Sequence, residues 1–366
     1  MLRSSIEDRP SLPQGPSHLE QRAHRPLRLR VAACAWRPGV VAAAAVTALG
    51  LSPLVGTGVA SASSTAGARP ARPAPTSTLS RRLLPRSLPH PASVPAFAGY
   101  PLVGGGRWRP AGRLVDGQPA ILTTLVRLPG PGTTVAGIAW MDTPLLRARL
   151  YSGSLSPGGL FWKYTAPISR GESRALVAAF NGGFLLKVSH GGYLSEGHLV
   201  APLRAGAASL VIYRDGSMTV GAWGRDVTMG ANVAAVRQNL TLLVDGGRIA
   251  PGLNPNDVAA WGASLNQVVD TWRSGLGVTS TGALVYVAGP MNIVELAQLL
   301  VRAGAVRAMT LDMNPLWPVF ATYEPASPTG YASPGNGTDL VPTMVQSPAR
   351  FFEAAYSRDF ITISTR

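Results

Sequence analysis

The chain has 366 residues, 46% hydrophobic and 14% charged, with a formal net charge of +15, so it can bury a sizeable core. The basicity is uneven: residues 1–110 hold 14 Arg against three acids, whereas residues 111–366 hold 19 basic and 15 acidic side chains. A nucleic-acid binder carries its positive charge on a folded face, so no nucleic-acid partner is expected. The single cysteine, Cys34, excludes disulfides, Cys-ligated zinc and thiol catalysis from everything that follows it.

No charged residue occurs from Pro38 to Ala68, and Arg25, Arg28, Arg30 and Arg37 lie just upstream. Val40–Ala48 is apolar apart from Thr47, and Ala60-Ser61-Ala62 supplies the small residues of a signal-peptidase site. Residues 1–62 therefore read as a secretory signal with a long basic leader. The alternative is an uncleaved anchor over residues 39–60, a weak span because Gly50 and Pro53 interrupt it. Residues 63–98 are rich in Pro, Ala and Ser and read as a disordered linker. The expectation is a secreted or envelope-associated protein that touches a membrane only through its N-terminal segment.

From Gly99 to Arg366 short apolar segments are punctuated by turns, as in one folded domain. Ile121–Leu128, Val135–Met141, Leu145–Tyr151 and Leu176–Phe180 read as strands. Leu210–Tyr213 and Met218–Ala222 flank Asp215-Gly216, a strong hairpin signal, and Leu240–Val244 ends at another turn, Asp245-Gly246-Gly247. Leu276–Thr279 and Leu284–Ala288 flank Gly282 as a further hairpin. Asn292–Ala303 predicts a helix: Asn292 and Glu295 form a capping box, Ile293, Leu296, Ala297 and Leu300 share a face, and Gly304 stops it. Ala308–Leu311 and Phe360–Ile363 read as strands, and Ser347-Pro348 as the start of a last helix. The predicted class is α+β, a mostly antiparallel or mixed sheet with hairpins and two or three packed helices.

The familiar catalytic signatures are absent: there is no P-loop, no HExxH and no Gly-x-Ser-x-Gly elbow. His190 and His198 lack the spacing of a metal pair, so neither a metal nor any other cofactor is expected. Three segments are more suggestive. Asn181-Gly182-Gly183-Phe184 ends a strand with glycines that let backbone N–H groups approach an anion. Arg273-Ser274 opens a strand with a guanidinium suited to phosphate, and Asp312 puts a carboxylate at a strand end. Asp215 and Asp245 are better explained as turn formers.

The order of these segments resembles the phosphodiester glycosidase family, which includes the enzyme that uncovers mannose 6-phosphate. The motifs are Asn181–Phe184, then Asp-Gly hairpins, Arg273–Val278, an amphipathic helix, and Leu311-Asp312. The resemblance is strongest over residues 174–320. Family members continue after the aspartate with glycines and small hydroxyl residues, whereas here Met313-Asn314-Pro315-Leu316-Trp317 follows, without a glycine nest. The resemblance implies an exported hydrolase that cleaves a sugar–phosphate phosphodiester on the glycosidic side, in cell-envelope glycans. It assigns Arg273 and Asn181–Gly183, with Ser274 and Asn314, to the phosphate or sugar, and Asp312 to the water or anomeric centre. Glu196 is the second carboxylate to test, and Trp317 is either a face for sugar stacking or a buried core residue. No protein partner is expected. The alternative reading is a catalytically silent glycan binder or a polysaccharide-assembly protein.

Overall fold

Nearly every residue of Val135–Met141 and Leu284–Met291 is buried, a pattern that a sheet with one wet face does not produce. In the computed structural model both strands lie in an eight-stranded sheet whose two faces are covered. Alternate residues feed different cores: Leu284, Tyr286 and Ala288 enter one, Val285 and Val287 the other. Described are residues 87–159, 162–261, 269–354 and 356–366, all in one compact unit, Thr78–Arg366. The signal and anchor readings, and the linker up to residue 86, fall outside the described residues.

One face of this sheet carries the helix Ile293–Arg302, where Leu296 and Leu300 pack close to Gly275 of the strand Thr271–Thr279. The capping box is present: Asn292 Oδ1 accepts from the backbone N–H groups of Val294 and Glu295 at 3.0 Å each, and Glu295 Oε2 accepts from Asn292 N at 3.1 Å. The other face meets two five-stranded sheets through a core that includes Ile121, Phe180, Leu210, Tyr286, Phe320 and Ile361. One of them holds Leu176–Asn181 beside Phe360–Thr365; the other holds Ala208–Tyr213 between Met218–Ala222 and Val233–Asn239.

All strand pairings between named strands are antiparallel; among the described residues the parallel pairings are isolated bridges such as Ser152 with Thr165. The described residues are therefore predominantly β: beside Ile293–Arg302 their α-helices, such as Arg170–Ser173 and Leu186–Ser189, are single turns. The segment after Ser347-Pro348 forms only a 3-10 helix, Pro348–Phe352, and Glu353 is already extended at φ −86°, ψ 139°. It has no 3.6-residue apolar repeat: Phe351 enters an aromatic core, while its neighbour Phe352 stays partly exposed.

Residues 87–98, assigned by composition to the linker, instead lie along the domain. Asp142 Oδ2 accepts from Ser87 Oγ at 2.5 Å and Leu88 N at 3.1 Å, and Arg302 donates to the carbonyls of Pro95 and Ala96. The fold thus extends N-terminal to Gly99, and proline there marks an extended strap with few backbone donors to satisfy.

Removing the cap with Asn292→Ala should lower stability by about 0.5–2 kcal/mol, and Leu296→Ala by about 2–5 kcal/mol through lost burial and a cavity. Urea denaturation midpoints check both, with Leu296→Ala expected to be the larger loss.

Candidate functional site

Three distant segments meet where strands of two sheets end. Asn181 closes Leu176–Asn181, Ser274 lies in Thr271–Thr279, and Asp312 follows Ala305–Thr310. Asn181 Nδ2 donates to Ser274 Oγ at 3.0 Å and to the Gly182 carbonyl at 2.8 Å. Its Oδ1 accepts from the Tyr286 hydroxyl at 2.7 Å and Val319 N at 3.1 Å. Ser274 Oγ in turn accepts from Asp312 N at 3.2 Å, and Ser274 N donates to the Asp312 carbonyl at 2.7 Å. Asn181, Ser274 and Asp312 are thus directly joined, and the Asn181 amide is fully occupied in joining them.

Asp312 is only 2% exposed. Its Oδ1 accepts from Met313 N at 2.8 Å and Asn314 N at 2.9 Å, which is how the loop after the strand turns without glycine. Asn314 Oδ1 then accepts from Leu316 N at 3.1 Å. Asp312 Oδ2 takes a 2.8 Å hydrogen bond from Arg358 Nη2. Burial pushes the Asp312 carboxyl up to about 6, against the opposing pull of Arg358 and the two N–H groups.

Arg358 is 7% exposed and its guanidinium carbon lies 4.7 Å from the ring centre of Trp317. Its Nε and Nη1 have no hydrogen-bond partner among the described residues, and neither has the hydroxyl of buried Tyr356. Tyr356 packs edge-on against Trp317 and feels the charges of Asp312 and Arg358. Unpaired buried donors of this kind cost about 1–3 kcal/mol each, so a cluster of them beside a carboxylate suits an anionic ligand that would satisfy them.

The other expected residues stand elsewhere. Arg273 is buried, but it donates to the carbonyls of Met291 and Val269 and lies 3.8 Å from the Met313 sulfur. Burial lowers its pKa to about 10, and the carboxylate acting on it is Asp270. Arg273 therefore borders the loop that carries Asp312 without pairing with Asp312. Gly182 and Gly183 leave room for a buried ion pair: a Cβ on Gly182 would collide with the Asp359 carboxylate, and one on Gly183 would press on the Arg237 guanidinium. Arg237 Nε donates to Asp359 Oδ2 at 2.7 Å, and both side chains are 1% exposed. Glu196 does not join this cluster; it accepts from the backbone N–H groups of Lys163 and Tyr164 at 2.9 Å each.

The sequence reading did not single out Arg358, Asp359, Arg237, Tyr286 or Tyr356. The available signal was the charged pair Arg358-Asp359 directly ahead of the apolar run Phe360–Ile363. Among the described residues no group of three or more His, Cys, Asp or Glu could hold a metal ion.

Residues 174–312 match the sequence model of the phosphodiester glycosidase family, a glycosidase type of hydrolase. The resemblance read from Asn181–Phe184, Arg273–Val278 and Asp312 is thereby shown in divergent form, and the match ends at Asp312, where the glycine-free loop begins. Among solved structures, the catalytic domain of zebrafish N-acetylglucosamine-1-phosphodiester alpha-N-acetylglucosaminidase, auto-inhibited by its pro-peptide, is 16% identical. That alignment covers 74% of this chain and 92% of the zebrafish chain, at a TM-score of 0.42. A hypothetical protein from Synechocystis is 12% identical over 70% of this chain and 64% of its own, at a TM-score of 0.39. No curated protein matches the chain.

The raised pKa of Asp312 fixes the sign of a stability effect. The folded state holds this proton up to about pH 6 while the unfolded chain has lost it by about pH 4, so the folded state binds more protons between them. Thermal unfolding midpoints should therefore fall as pH rises through this window, less steeply in Asp312→Asn than in wild type. Equal slopes in the two proteins would show that Asp312 titrates normally.

Proposed function

We propose that the chain is an exported hydrolase that cleaves a sugar–phosphate phosphodiester on its glycosidic side, acting on cell-envelope glycans. The observation that carries this reading is the buried Asp312–Arg358 pair, in which a carboxyl poised near pH 6 lies beside a guanidinium with two free donors.

In such a hydrolysis, water adds to the anomeric carbon and the bond from that carbon to the phosphate oxygen breaks. The bonding electrons leave with a phosphate monoester, whose second pKa of about 6 makes it a good leaving group without a strong acid. Asp312, ionised above about pH 6, takes the proton of the attacking water. Arg358 Nε and Nη1 hold the phosphate oxygens as charge develops, and the Tyr356 hydroxyl adds a third donor. Trp317, fixed against Arg358 and Tyr356, forms an apolar wall for the sugar ring.

A second reading, glycan binding or polysaccharide assembly without turnover, is favoured by a different observation. Asp312 Oδ1 is already occupied by two loop N–H groups and the carboxylate is nearly inaccessible. Incubation of purified protein with a sugar-1-phosphodiester separates the two. The hydrolase releases free sugar and phosphate monoester, with kcat/KM rising through about pH 6. Asp312→Asn is expected to lower kcat by about 10²–10⁴-fold and Arg358→Ala by about 10²–10³-fold. Glycan retention without product in wild type selects the binder, and an Asp312→Asn rate equal to wild type removes Asp312 from the mechanism.

Export rests on the basic, apolar and small-residue order of residues 1–62. The expected mature protein begins after Ala62, which intact-mass measurement of material from the cell envelope or medium checks. Retention of residues 39–60 in membrane-bound material would select the anchor.

A further inference from the structure

A cavity of about 460 Å³ opens between the strands Leu146–Tyr151 and Ala208–Tyr213, and none of Asn181, Ser274, Asp312 or Arg358 lines it. Its volume is that of a small-ligand site. Arg147 and Arg149 alternate along the first strand and so leave the same face of its sheet, while Arg214 enters from the end of the second. Arg147 Nε donates to the Thr365 carbonyl at 3.2 Å and Arg214 Nε to the Ala231 carbonyl at 2.7 Å. Each guanidinium is thereby oriented, and its terminal nitrogens make no hydrogen bond among the described residues.

The third arginine is built into a wall. The Arg149 guanidinium carbon lies 4.0 Å from the ring centre of Tyr164, and Nη1 pairs with Glu172 Oε2. Tyr164 is itself held by Glu196, which accepts from the Lys163 and Tyr164 N–H groups. Glu196 does this from a left-handed backbone conformation, φ 51°, at the tip of a hairpin. A residue with a Cβ pays roughly 1–2 kcal/mol there, and the two hydrogen bonds to its carboxylate hold the strained turn in register with the wall. This chain of contacts gives Glu196 a positioning role in a cavity it lines.

We propose that this cavity binds the phosphate group of a phosphorylated sugar, as a site separate from the Asp312 cluster and independent of turnover there. Arg147 and Arg214 grip the phosphate through their free terminal nitrogens, the geometry in which guanidinium recognises this group best. Arg149 and Tyr164 form the wall beside the sugar ring. Glu172, with one oxygen on Arg149, keeps the other for a sugar hydroxyl.

Hydrogen exchange of the full chain, with N-acetylglucosamine 1-phosphate and glucuronate as probes, tests the assignment. The sugar phosphate is expected to slow exchange over residues 146–151 and 212–217. The double variant Arg147→Ala/Arg214→Ala, which changes two exposed side chains, should raise the concentration needed at least about tenfold, or about 1.4 kcal/mol. Glucuronate should protect the same segments more weakly. Absence of protection there, equal protection of the double variant, or glucuronate protecting as well as the phosphate would each overturn the proposal. Protection confined to residues 310–320 and 356–360 would sustain the Asp312 reading alone and overturn this one; protection at 146–151 and 212–217 sustains this one whether or not a sugar-1-phosphodiester is hydrolysed at Asp312.

Discussion

The Asn181 carboxamide ties together strands that no backbone ladder connects. Three of its four hydrogen bonds link the end of Leu176–Asn181 to Ser274 and Tyr286 of the eight-stranded sheet and to Val319, and the fourth closes on the neighbouring Gly182 carbonyl. Each partner is buried, so losing the amide would leave several unsatisfied groups, each costing about 1–3 kcal/mol. Ser274 passes the connection on to the backbone of Asp312, which fixes where the carboxylate stands relative to the last strand. Everything chemical about the site depends on this junction, although Asn181 itself has no capacity left to bind a ligand.

Around the junction, two charged pairs are buried in sequence neighbours: Arg358 with Asp312 and Asp359 with Arg237. Buried ion pairs rarely repay their desolvation, so stability is a weak reason for them. The two differ in how well they are satisfied. Arg237 donates to Asp359, to the Gln238 carbonyl and to the Phe184 carbonyl, which is the arrangement of a structural clamp. Arg358 spends one donor on Asp312 and leaves two unpaired. That asymmetry, together with the raised pKa of Asp312, marks the first pair as the one with chemistry left to do.

What was legible in the sequence was whatever has a local cause. Asp215-Gly216 specified a hairpin, and Ile212 pairs with Met218 across a three-residue loop, Arg214-Asp215-Gly216, in which Gly216 takes the left-handed conformation at φ 83°. Asn292 and Glu295 specified a helix start, and the capping box is there. The convergence of Asn181, Ser274 and Asp312 was accessible through their spacing in a family pattern, not through any rule of local structure. The charged partners were not legible, because Arg358 lies 46 residues from Asp312 and Arg237 lies 122 from Asp359. Nothing in the flanking residues of either encodes the pairing. The glycines after Asn181 show the same limit: their lack of a side chain was read as room for a ligand, and the room is filled by an ion pair.

The loop after Asp312 explains why the cation must carry the anion-holding role in the proposed reaction. Where a glycine nest would direct successive N–H groups outward, this loop spends them on itself. The N–H groups of Met313 and Asn314 point to Asp312 Oδ1, that of Leu316 to Asn314 Oδ1, and that of Trp317 to the Asn314 carbonyl, while Pro315 has none. A phosphate approaching Asp312 would find no backbone donor of residues 313–317 free. It would find Arg358, aligned by Trp317 on one side and by the carboxylate on the other, with two N–H groups unclaimed. In the proposed reaction a side-chain guanidinium would supply the electrostatics of phosphate binding that a backbone nest otherwise gives, from the strand entry at residue 358, outside the matched segment 174–312.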